Sequence, residues 1–188
     1  TLQLPDVTLC PGPSPDNAAM NLAHLLQRKA LEHPDRPAIY SGTRCVASHS
    51  AWAERAARVG AHMRQAGLQP GDRVVLFMHN HPRYLELLFG AWWAGLVAVP
   101  VNAKLHLKEV QWIVENSGAR RAFVTSDIVP DPAELTGLDG VIDVDSAECD
   151  AWINEGGGHI FIEERAPDDT AWLFYTSGTT GRPKGVMI

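Results

Sequence analysis

The residues with the clearest chemical potential form a glycine-rich stretch between Tyr175 and Gly185. Glycine lets the backbone turn sharply and approach a ligand closely, and successive N–H groups in such a turn form an anion-binding concavity. Ser and Thr hydroxyls add hydrogen-bond donors, and a lysine adds a compact positive charge that suits phosphate. The stretch therefore predicts a polyphosphate-binding loop. Its candidate binding residues are Thr176, Ser177, Gly178, Thr179, Thr180, Gly181 and Lys184.

The order of residues around the lysine separates this loop from the P-loop of nucleotide hydrolases. A P-loop lysine is followed directly by Ser or Thr and then by a helix, whereas Lys184 is preceded by Pro183 and followed by Gly185. Both flanks, Ala171–Tyr175 and Val186–Ile188, have the apolar composition of strands. We therefore expect the loop to join two strands and to bind without a helix dipole. The alternative is an ordinary Gly/Thr-rich turn, which seldom orders so many phosphate donors.

Other polar and aromatic pairs are weaker site candidates. His79 and His81 form a His-x-His pair without a third ligand nearby in the sequence, so we expect no metal site there. Asp168 and Asp169 precede a strand and predict a solvated loop. Trp92–Trp93 could line an acyl pocket, but their place in an apolar helix favours the core. No Ser-His-Asp arrangement can be argued, so no catalytic residue is assigned.

Composition and charge limit the function classes. The 188 residues are 45% hydrophobic and 20% charged, as in a globular domain with one core. A net charge of −6 argues against a nucleic-acid surface, where a basic patch would be expected. Cys10, Cys45 and Cys149 are odd in number and far apart, so we expect reduced thiols in a cytoplasmic protein. The longest apolar run, Leu87–Val101, is too short to cross a bilayer.

Helical and strand periodicities alternate along most of the chain. Helical spacing over residues 17–33 is followed by a short hairpin over residues 38–46. Ser48 and Asn80 are predicted N-caps, and Gly118 is a predicted helix end. The later predicted strands are Arg73–Met78, Leu96–Val101, Arg121–Thr125 and Val141–Val144, and the later predicted helices include Leu107–Asn116 and Ala147–Asn154. This alternation predicts an α/β fold with a parallel-rich sheet flanked by helices.

The run Thr-Ser-Gly-Thr-Thr-Gly-x-Pro-Lys-Gly at residues 176–185 resembles the signature loop of the adenylate-forming enzymes. This family comprises acyl-CoA synthetases, luciferases and the adenylation domains of peptide synthetases. Residues 69–74 resemble its Gly-Asp-Arg-Val segment, and residues 93–102 its Lys-Ala-Gly…Val-Pro-x-Asn segment. Asn102 is typical of the acyl-CoA synthetase and luciferase branches. The resemblance runs from about Leu22 to the end of the chain and implies part of the large N-terminal domain of the acyl-CoA synthetase-like fold.

The resemblance implies an enzyme that joins a carboxylate to AMP. ATP, accompanied by Mg²⁺, would supply the AMP and release pyrophosphate, and the acyl group would then pass to a thiol, with CoA as the co-substrate. The loop residues would stabilise the charge on the departing pyrophosphate. The expected partners are thus a carboxylic acid and ATP, with no nucleic acid. The alternatives are an adenylation domain that loads a carrier protein and a non-catalytic nucleotide-binding homologue.

The later sequence segments of this family do not occur in the chain. These are its Tyr-Gly-x-Thr-Glu and Thr-Gly-Asp segments, its hinge, and the catalytic lysine of its small C-terminal domain. We therefore expect residues 17–188 to be the N-terminal portion of an AMP-binding domain, truncated after the phosphate loop and preceded by an extended arm over residues 1–16. Such a fragment is expected to be inactive alone. Its exposed sheet edges are expected to cause artificial self-association, so a dimer of the fragment is not evidence for the intact protein. A homodimer of the intact protein is a separate expectation.

Overall fold

The protein folds into alternating helices and strands, as its apolar periodicity predicts. The computed structural model describes residues 21–156, 161–176 and 184–188. The strands are β1 (Pro37–Ser41), β2 (Arg44–Ser48), β3 (Arg73–Phe77), β4 (Val97–Val101), β5 (Ala119–Val124), β6 (Gly140–Asp143), β7 (Leu173–Thr176) and β8 (Lys184–Met187). The helices are α1 (Ala23–Glu32), α2 (His49–Gln65), α3 (Arg83–Trp93), α4 (Leu107–Ser117) and α5 (Ala147–Asn154), with a 3₁₀ turn at Pro132–Glu134. The predicted arm over residues 1–16 lies outside the described residues.

Four parallel strands form the central sheet in the order β4-β3-β5-β6. Val75 of β3 lies opposite Val99 of β4 and Ala122 of β5, and all three are fully buried. The chain first crosses to one side of β3 through α3 and then to the other side through α4. A reversal of this kind opens a crevice at the carboxyl ends of the strands, where α/β proteins commonly bind ligands. The predicted α/β class and the parallel sheet flanked by helices are confirmed.

Alternate side chains of β3 enter two hydrophobic clusters, one on each face of the sheet. Val74 and Leu76 belong to the first cluster, which also contains residues of α1, α2, α3 and α5. Val75 and Phe77 belong to the second cluster, which lies under α4. The α4 residues of the second cluster are Val110, Ile113 and Val114. A strand buried on both faces in this way explains why the β3 sequence is a continuous apolar run instead of an alternating one.

Two of the predicted helix ends are confirmed by their local geometry. The Ser48 hydroxyl accepts a hydrogen bond from the backbone N–H of Ala51 at 3.3 Å and so caps α2. Gly118 ends α4 with φ at +60°, a left-handed conformation that glycine adopts without a steric penalty. These short-range signals are legible in the sequence because the cap and its partner lie within one helical turn.

The prediction that Asn80 caps the next helix is wrong. Helix α3 begins later, at Arg83, and Pro82 in the cap position already has helical backbone angles. The Nδ1 atom of His81 accepts the backbone N–H of Arg83 at 3.1 Å. A histidine ring therefore satisfies one of the unpaired N–H groups at the start of α3, a role that cap statistics assign to Asn or Ser.

Helices α2 and α3 approach each other closely at Gly90. A Cβ atom added at Gly90 would lie 2.4 Å from Cγ1 of Val59 and 3.1 Å from the carbonyl oxygen of Ala56. The neighbouring Trp92 and Trp93 are only 4% and 2% exposed, which confirms the predicted place of both in the core. The missing side chain of Gly90 thus allows α3 to bring these two large rings against the rest of the first cluster.

Gly90→Ala is expected to destabilise the fold by about 1–3 kcal/mol, the usual range for overpacking a core. Urea unfolding followed by tryptophan fluorescence measures this loss. The double variant Gly90→Ala/Val59→Ala removes Cγ1 of Val59, the atom nearest to the new Cβ, while Cβ of Val59 at 2.7 Å stays, so its loss should be smaller than the sum of the two single losses. An unfolding midpoint for Gly90→Ala equal to that of the wild type would contradict the close approach of the two helices.

An ion-pair network closes the amino-terminal edge of the sheet. The Asp72 carboxylate accepts the Gln69 backbone N–H at 2.8 Å and pairs with the Arg120 guanidinium at 2.8 Å, and Arg120 also pairs with Asp139. Burial acts to raise the pKa of Asp72, but the hydrogen bonds from Gln69 and Arg120 outweigh it and hold the pKa below its ordinary value. The network joins the residue before β3 to β5 and to the residue before β6.

Asp72→Asn is expected to lower stability at neutral pH more than in acid. Because the folded pKa of Asp72 is depressed, its contribution is present above the unfolded pKa and disappears as pH falls through the folded pKa. Urea midpoints of wild type and variant should therefore differ at pH 7 and converge in the acid range below about pH 4. Asp168→Asn, which changes an exposed carboxylate, is the matched control. A difference between wild type and Asp72→Asn that stays constant with pH would contradict this account.

Candidate functional site

The candidate phosphate loop is carried by an antiparallel hairpin. Strand β7 ends at Thr176 and strand β8 begins at Lys184, and these two residues are paired across the hairpin. The predicted strand-loop-strand arrangement is therefore present. Both side chains are exposed, and no ion pair involves Lys184 within the described part of the chain. The other predicted loop residues, Ser177, Gly178, Thr179, Thr180 and Gly181, lie outside the described residues.

A single β-bridge attaches the start of this hairpin to the outer edge of the parallel sheet. Trp172 forms a parallel bridge with Ala98 of β4, and the Ala98 N–H donates to the Ala171 carbonyl oxygen at 3.1 Å. The indole N–H of Trp92 donates to the same oxygen at 3.0 Å. The hairpin thereby extends the sheet beyond β4, so that its loop end points in the direction in which the parallel strands run.

The segment made of Trp172 and the following strand β7 contacts different parts of the core on its two faces. Trp172 packs edge-on against Trp92 of the first cluster, with ring centroids 4.6 Å apart. On the opposite face, Leu173 and Tyr175 pack against the second cluster. The Tyr175 ring meets Trp112 of α4 edge-on at 5.9 Å. Aromatic contacts of this kind add about 0.5–1.5 kcal/mol beyond area burial, so the hairpin is held from both sides of the sheet.

An open cleft of about 750 Å³ lies beside the hairpin at the carboxyl ends of β3 and β4. Its walls combine apolar and polar side chains, including the exposed Lys104. The residues that line it are Met78, His79, Asn80, Tyr84, Pro100, Val101, Asn102, Ala103, Lys104, Phe174 and Tyr175. Its volume is within the range of small-molecule sites, and its position is the one that open α/β sheets use for ligands.

The two histidines of the His-x-His pair face different carboxylates. His79 Nε2 lies 2.9 Å from Asp127 Oδ2, and His81 Nε2 lies 3.4 Å from Asp145 Oδ1. Asp127 follows β5 and Asp145 follows β6, so both pairs form where parallel strands end together. In the described ranges, no three His, Cys, Asp or Glu side chains gather as metal ligands. These His–Asp pairs were missed from the sequence, although a carboxylate just beyond each buried strand is the signal that could have indicated them.

Asp168 and Asp169 belong to the turn that precedes the hairpin. The Asp169 carboxylate accepts the Ala166 N–H at 2.8 Å and pairs with the Arg165 guanidinium at 3.0 Å. It therefore stabilises the turn locally, which agrees with the predicted loop.

Within the described segments, no helix combines the length and apolar character needed to cross a bilayer.

Comparison with known proteins gives one consistent family. The family model described as AMP-binding enzyme matches residues 26–188. Feruloyl-CoA synthase of an Amycolatopsis species is 34% identical over 167 residues, which cover 86% of this chain and 32% of that protein. Surfactin synthase subunit 1 of Bacillus subtilis is 31% identical over 169 residues, which cover 90% of this chain and 4% of that protein. The chain thus spans about a third of feruloyl-CoA synthase and a much smaller share of the surfactin synthase subunit.

Solved structures give the same result for the fold. The N-terminal domain of FACL13 from Mycobacterium tuberculosis, solved with an inhibitor bound, is 27% identical to this chain with a TM-score of 0.78. The match covers 89% of this chain and 44% of that structure. The chain therefore shares the fold of that N-terminal domain.

Proposed function

The chain belongs to the AMP-binding enzyme family of adenylate-forming proteins, and from this premise we propose that it is the phosphate-loop part of a ligase that activates a carboxylic acid with ATP. The resemblance drawn from the glycine-rich motif and the fold of the acyl-CoA synthetase N-terminal domain are both confirmed. The observation that carries the proposal is the hairpin that places Thr176 opposite Lys184 at the two ends of the loop.

The proposed reaction has two steps. In the first, a carboxylate oxygen attacks the α-phosphorus of ATP, the bond to the bridging oxygen of the β-phosphate breaks, and pyrophosphate leaves. In the second, a thiol attacks the acyl carbonyl, AMP leaves with its oxygen, and the thiol proton is released to solvent. Catalysis of phosphoryl transfer depends mainly on positioning and charge stabilisation. Charge on the departing pyrophosphate is greatest in the first step, which is where the loop would act.

Lys184 is the described residue best suited to that role. It is exposed, and its place at the first residue of β8 fixes the base of its side chain beside Thr176. An ammonium group can serve a phosphate as a point charge, while the hydroxyl of Thr176 can donate a hydrogen bond. We extend this role to Ser177, Gly178, Thr179, Thr180 and Gly181 as part of the proposal.

The Mg²⁺ ion of the proposed reaction is assigned to the nucleotide. We propose that Mg²⁺ enters as MgATP, bound to phosphate oxygens. This fits the preference of Mg²⁺ for phosphate oxygens with few protein carboxylates. The ion would neutralise phosphate charge during the first step.

We propose CoA as the acyl acceptor, because a relative at 34% identity is named a feruloyl-CoA synthase. The second candidate acceptor is a carrier-protein thiol, which the match to surfactin synthase subunit 1 favours. A nucleotide-binding homologue without activity is the third candidate. We also propose that the chain consists of an arm over residues 1–16 and an AMP-binding portion over residues 17–188. Because Cys45 and Cys149 are free thiols, we propose that the protein is cytoplasmic. We further propose that the intact protein forms a homodimer.

The proposed function is tested by carboxylate-dependent exchange of radiolabelled pyrophosphate into ATP, measured on the full-length protein with fatty, aryl and amino acids. Exchange with one acid class is the expected result, and it identifies the substrate class. Product analysis with CoA and with a phosphopantetheinylated carrier then distinguishes the two acceptors. A folded protein that binds ATP without exchange for any acid would overturn the ligase proposal in favour of the nucleotide-binding homologue.

Lys184→Ala in the full-length protein is expected to lower kcat/KM for ATP by about 100-fold, the typical effect of losing one donor that stabilises transition-state charge. Thr180→Ala should act in the same direction with a smaller effect. Lys29→Ala is the matched control, because Lys29 lies on α1 and pairs with Glu32 at 2.8 Å. Unchanged rates and affinities in both loop variants would mean that the loop does not hold the phosphates.

The 188-residue chain alone is expected to form no acyl-AMP. The family segments that bind adenine and ribose, and the segment that carries the catalytic lysine, follow the loop in sequence and do not occur in this chain. Incubation with ATP, Mg²⁺ and the acid identified above, followed by mass spectrometry of acyl-AMP, measures this. The full-length protein under the same conditions is the positive control. Steady acyl-AMP production by the purified chain would show that its own residues suffice.

A further inference from the structure

We propose that Tyr175 is a positioning residue that fixes the stem of the phosphate loop to the last turn of α4 through Asn116. The consequence for ATP binding depends on the proposed function, whereas the mechanical link does not. Tyr175 itself is not proposed to touch the reacting atoms. It lies one residue before Thr176, so its position determines where the loop leaves the sheet.

The link between the hairpin and α4 is a hydrogen bond supported by a ring contact. The Tyr175 hydroxyl donates to Asn116 Oδ1 at 2.8 Å, and the two residues are 59 positions apart in the chain. The ring meets Trp112, one turn earlier on α4, at 5.9 Å with an interplanar angle of 89°. Burial raises the pKa of Tyr175 above its ordinary value. The phenol therefore keeps its proton at neutral pH and remains the donor.

The ring of Tyr175 also sets the other side of the stem. Tyr175 is paired with Gly185 across the hairpin. A Cβ atom at Gly185 would lie 3.4 Å from Cζ of Tyr175 and 3.2 Å from Cδ1 of Leu173. The distance to Leu173 is shorter than an ordinary van der Waals contact and the distance to Tyr175 is at its lower limit, so a glycine at this position leaves room for both side chains on this face of the hairpin. The last glycine of the motif thus has a packing role that the phosphate chemistry alone does not give it.

The α4 end of the link is itself held firmly. Arg73 of β3 donates from its guanidinium to the carbonyl oxygens of Ser117 and Gly118, each at 2.7 Å. A cation on the last carbonyls of a helix is favourable because those groups lack partners within the helix and carry the negative end of its dipole. Asn116 precedes these residues directly. The path from the central strand to the loop stem therefore runs through Arg73, the end of α4, Asn116 and Tyr175.

The side-chain hydrogen bonds that join the described residues of β7 and β8 to the helices come from the Tyr175 hydroxyl, which interacts with Asn116 and Ser117 at the end of α4. The backbone bridge at Trp172 lies just before β7, at the end of the hairpin away from the loop. Removing the Tyr175 hydroxyl should therefore loosen the stem at its loop end while leaving the hairpin attached to the sheet. This predicts a selective effect on the ligand that the loop holds.

The experiment compares Tyr175→Phe, Asn116→Ala and the double variant in the full-length protein. Each single variant is expected to raise KM for ATP about fivefold, the factor for one net hydrogen bond, with KM for the acid and the thermal midpoint unchanged. The double variant should match the singles, because both remove the same interaction. Asn116→Asp keeps an acceptor oxygen and should therefore leave KM for ATP at its wild-type value. Tyr40→Phe, the same chemical change at an exposed tyrosine of β1, is the control.

Hydrogen–deuterium exchange of the peptide spanning residues 171–188 gives a readout that does not require activity. Exchange should be faster in Tyr175→Phe than in wild type and unchanged in Tyr40→Phe. Wild-type exchange and wild-type KM for ATP in Tyr175→Phe would overturn the inference. So would a lowered thermal midpoint with KM for ATP and acid rising in parallel, since that is a general loss of structure. If the wild-type protein shows no ATP–pyrophosphate exchange, the ligase proposal fails and the peptide measurement alone decides the inference.

Discussion

The attachment of the loop-bearing hairpin to the outer edge of β4 is the constraint on which the candidate site depends. The Ala171 carbonyl oxygen accepts both the Ala98 N–H and the Trp92 indole N–H, so one acceptor joins the hairpin to a strand and to a helix at once. Side-chain contacts then position the following residues of the hairpin: the Trp172 ring packs on the first cluster, and the Tyr175 hydroxyl donates a hydrogen bond to Asn116 of α4. This shared carbonyl is costly to displace, because the buried N–H groups of Ala98 and Trp92 would both be left without a partner.

The parallel sheet gives this attachment its chemical meaning. Strands β3, β4 and β5 run in the same direction, so the segments that follow them meet at one edge. The hairpin bridges β4 in the same parallel sense and brings the start of its loop to that edge. The cleft lined by Asn102 and Lys104 lies beside it. The candidate phosphate loop and an open cleft are therefore neighbours through the topology of the sheet.

Sequence reasoning worked where the signal is local. The buried run of β3, the Ser48 cap and the left-handed Gly118 were readable because each depends on neighbours within a few residues. The Asn80 cap failed because His81, one position later, takes the N–H that a cap would satisfy. The strand character of both flanks predicted that the loop joins two strands, but it did not predict that these strands pair with each other from Thr176 and Lys184 onward. The Tyr175–Asn116 contact could not be predicted, since its partners are separated by helices and strands whose packing a single sequence does not specify.

The alternation of β7 between the two clusters has a consequence for how this protein can evolve. Trp172, directly before β7, faces one core, and Leu173 and Tyr175 of β7 face the other, so repacking on either side of the sheet would displace this short segment. Cores tolerate many hydrophobic exchanges when volume is conserved. Here an exchange in either core that shifts β7 would also shift the loop stem. Substitutions in both cores are thus limited by the same requirement, that the loop stem keeps its position. Neutral substitutions should therefore be rarer beside β7 than elsewhere in the two cores.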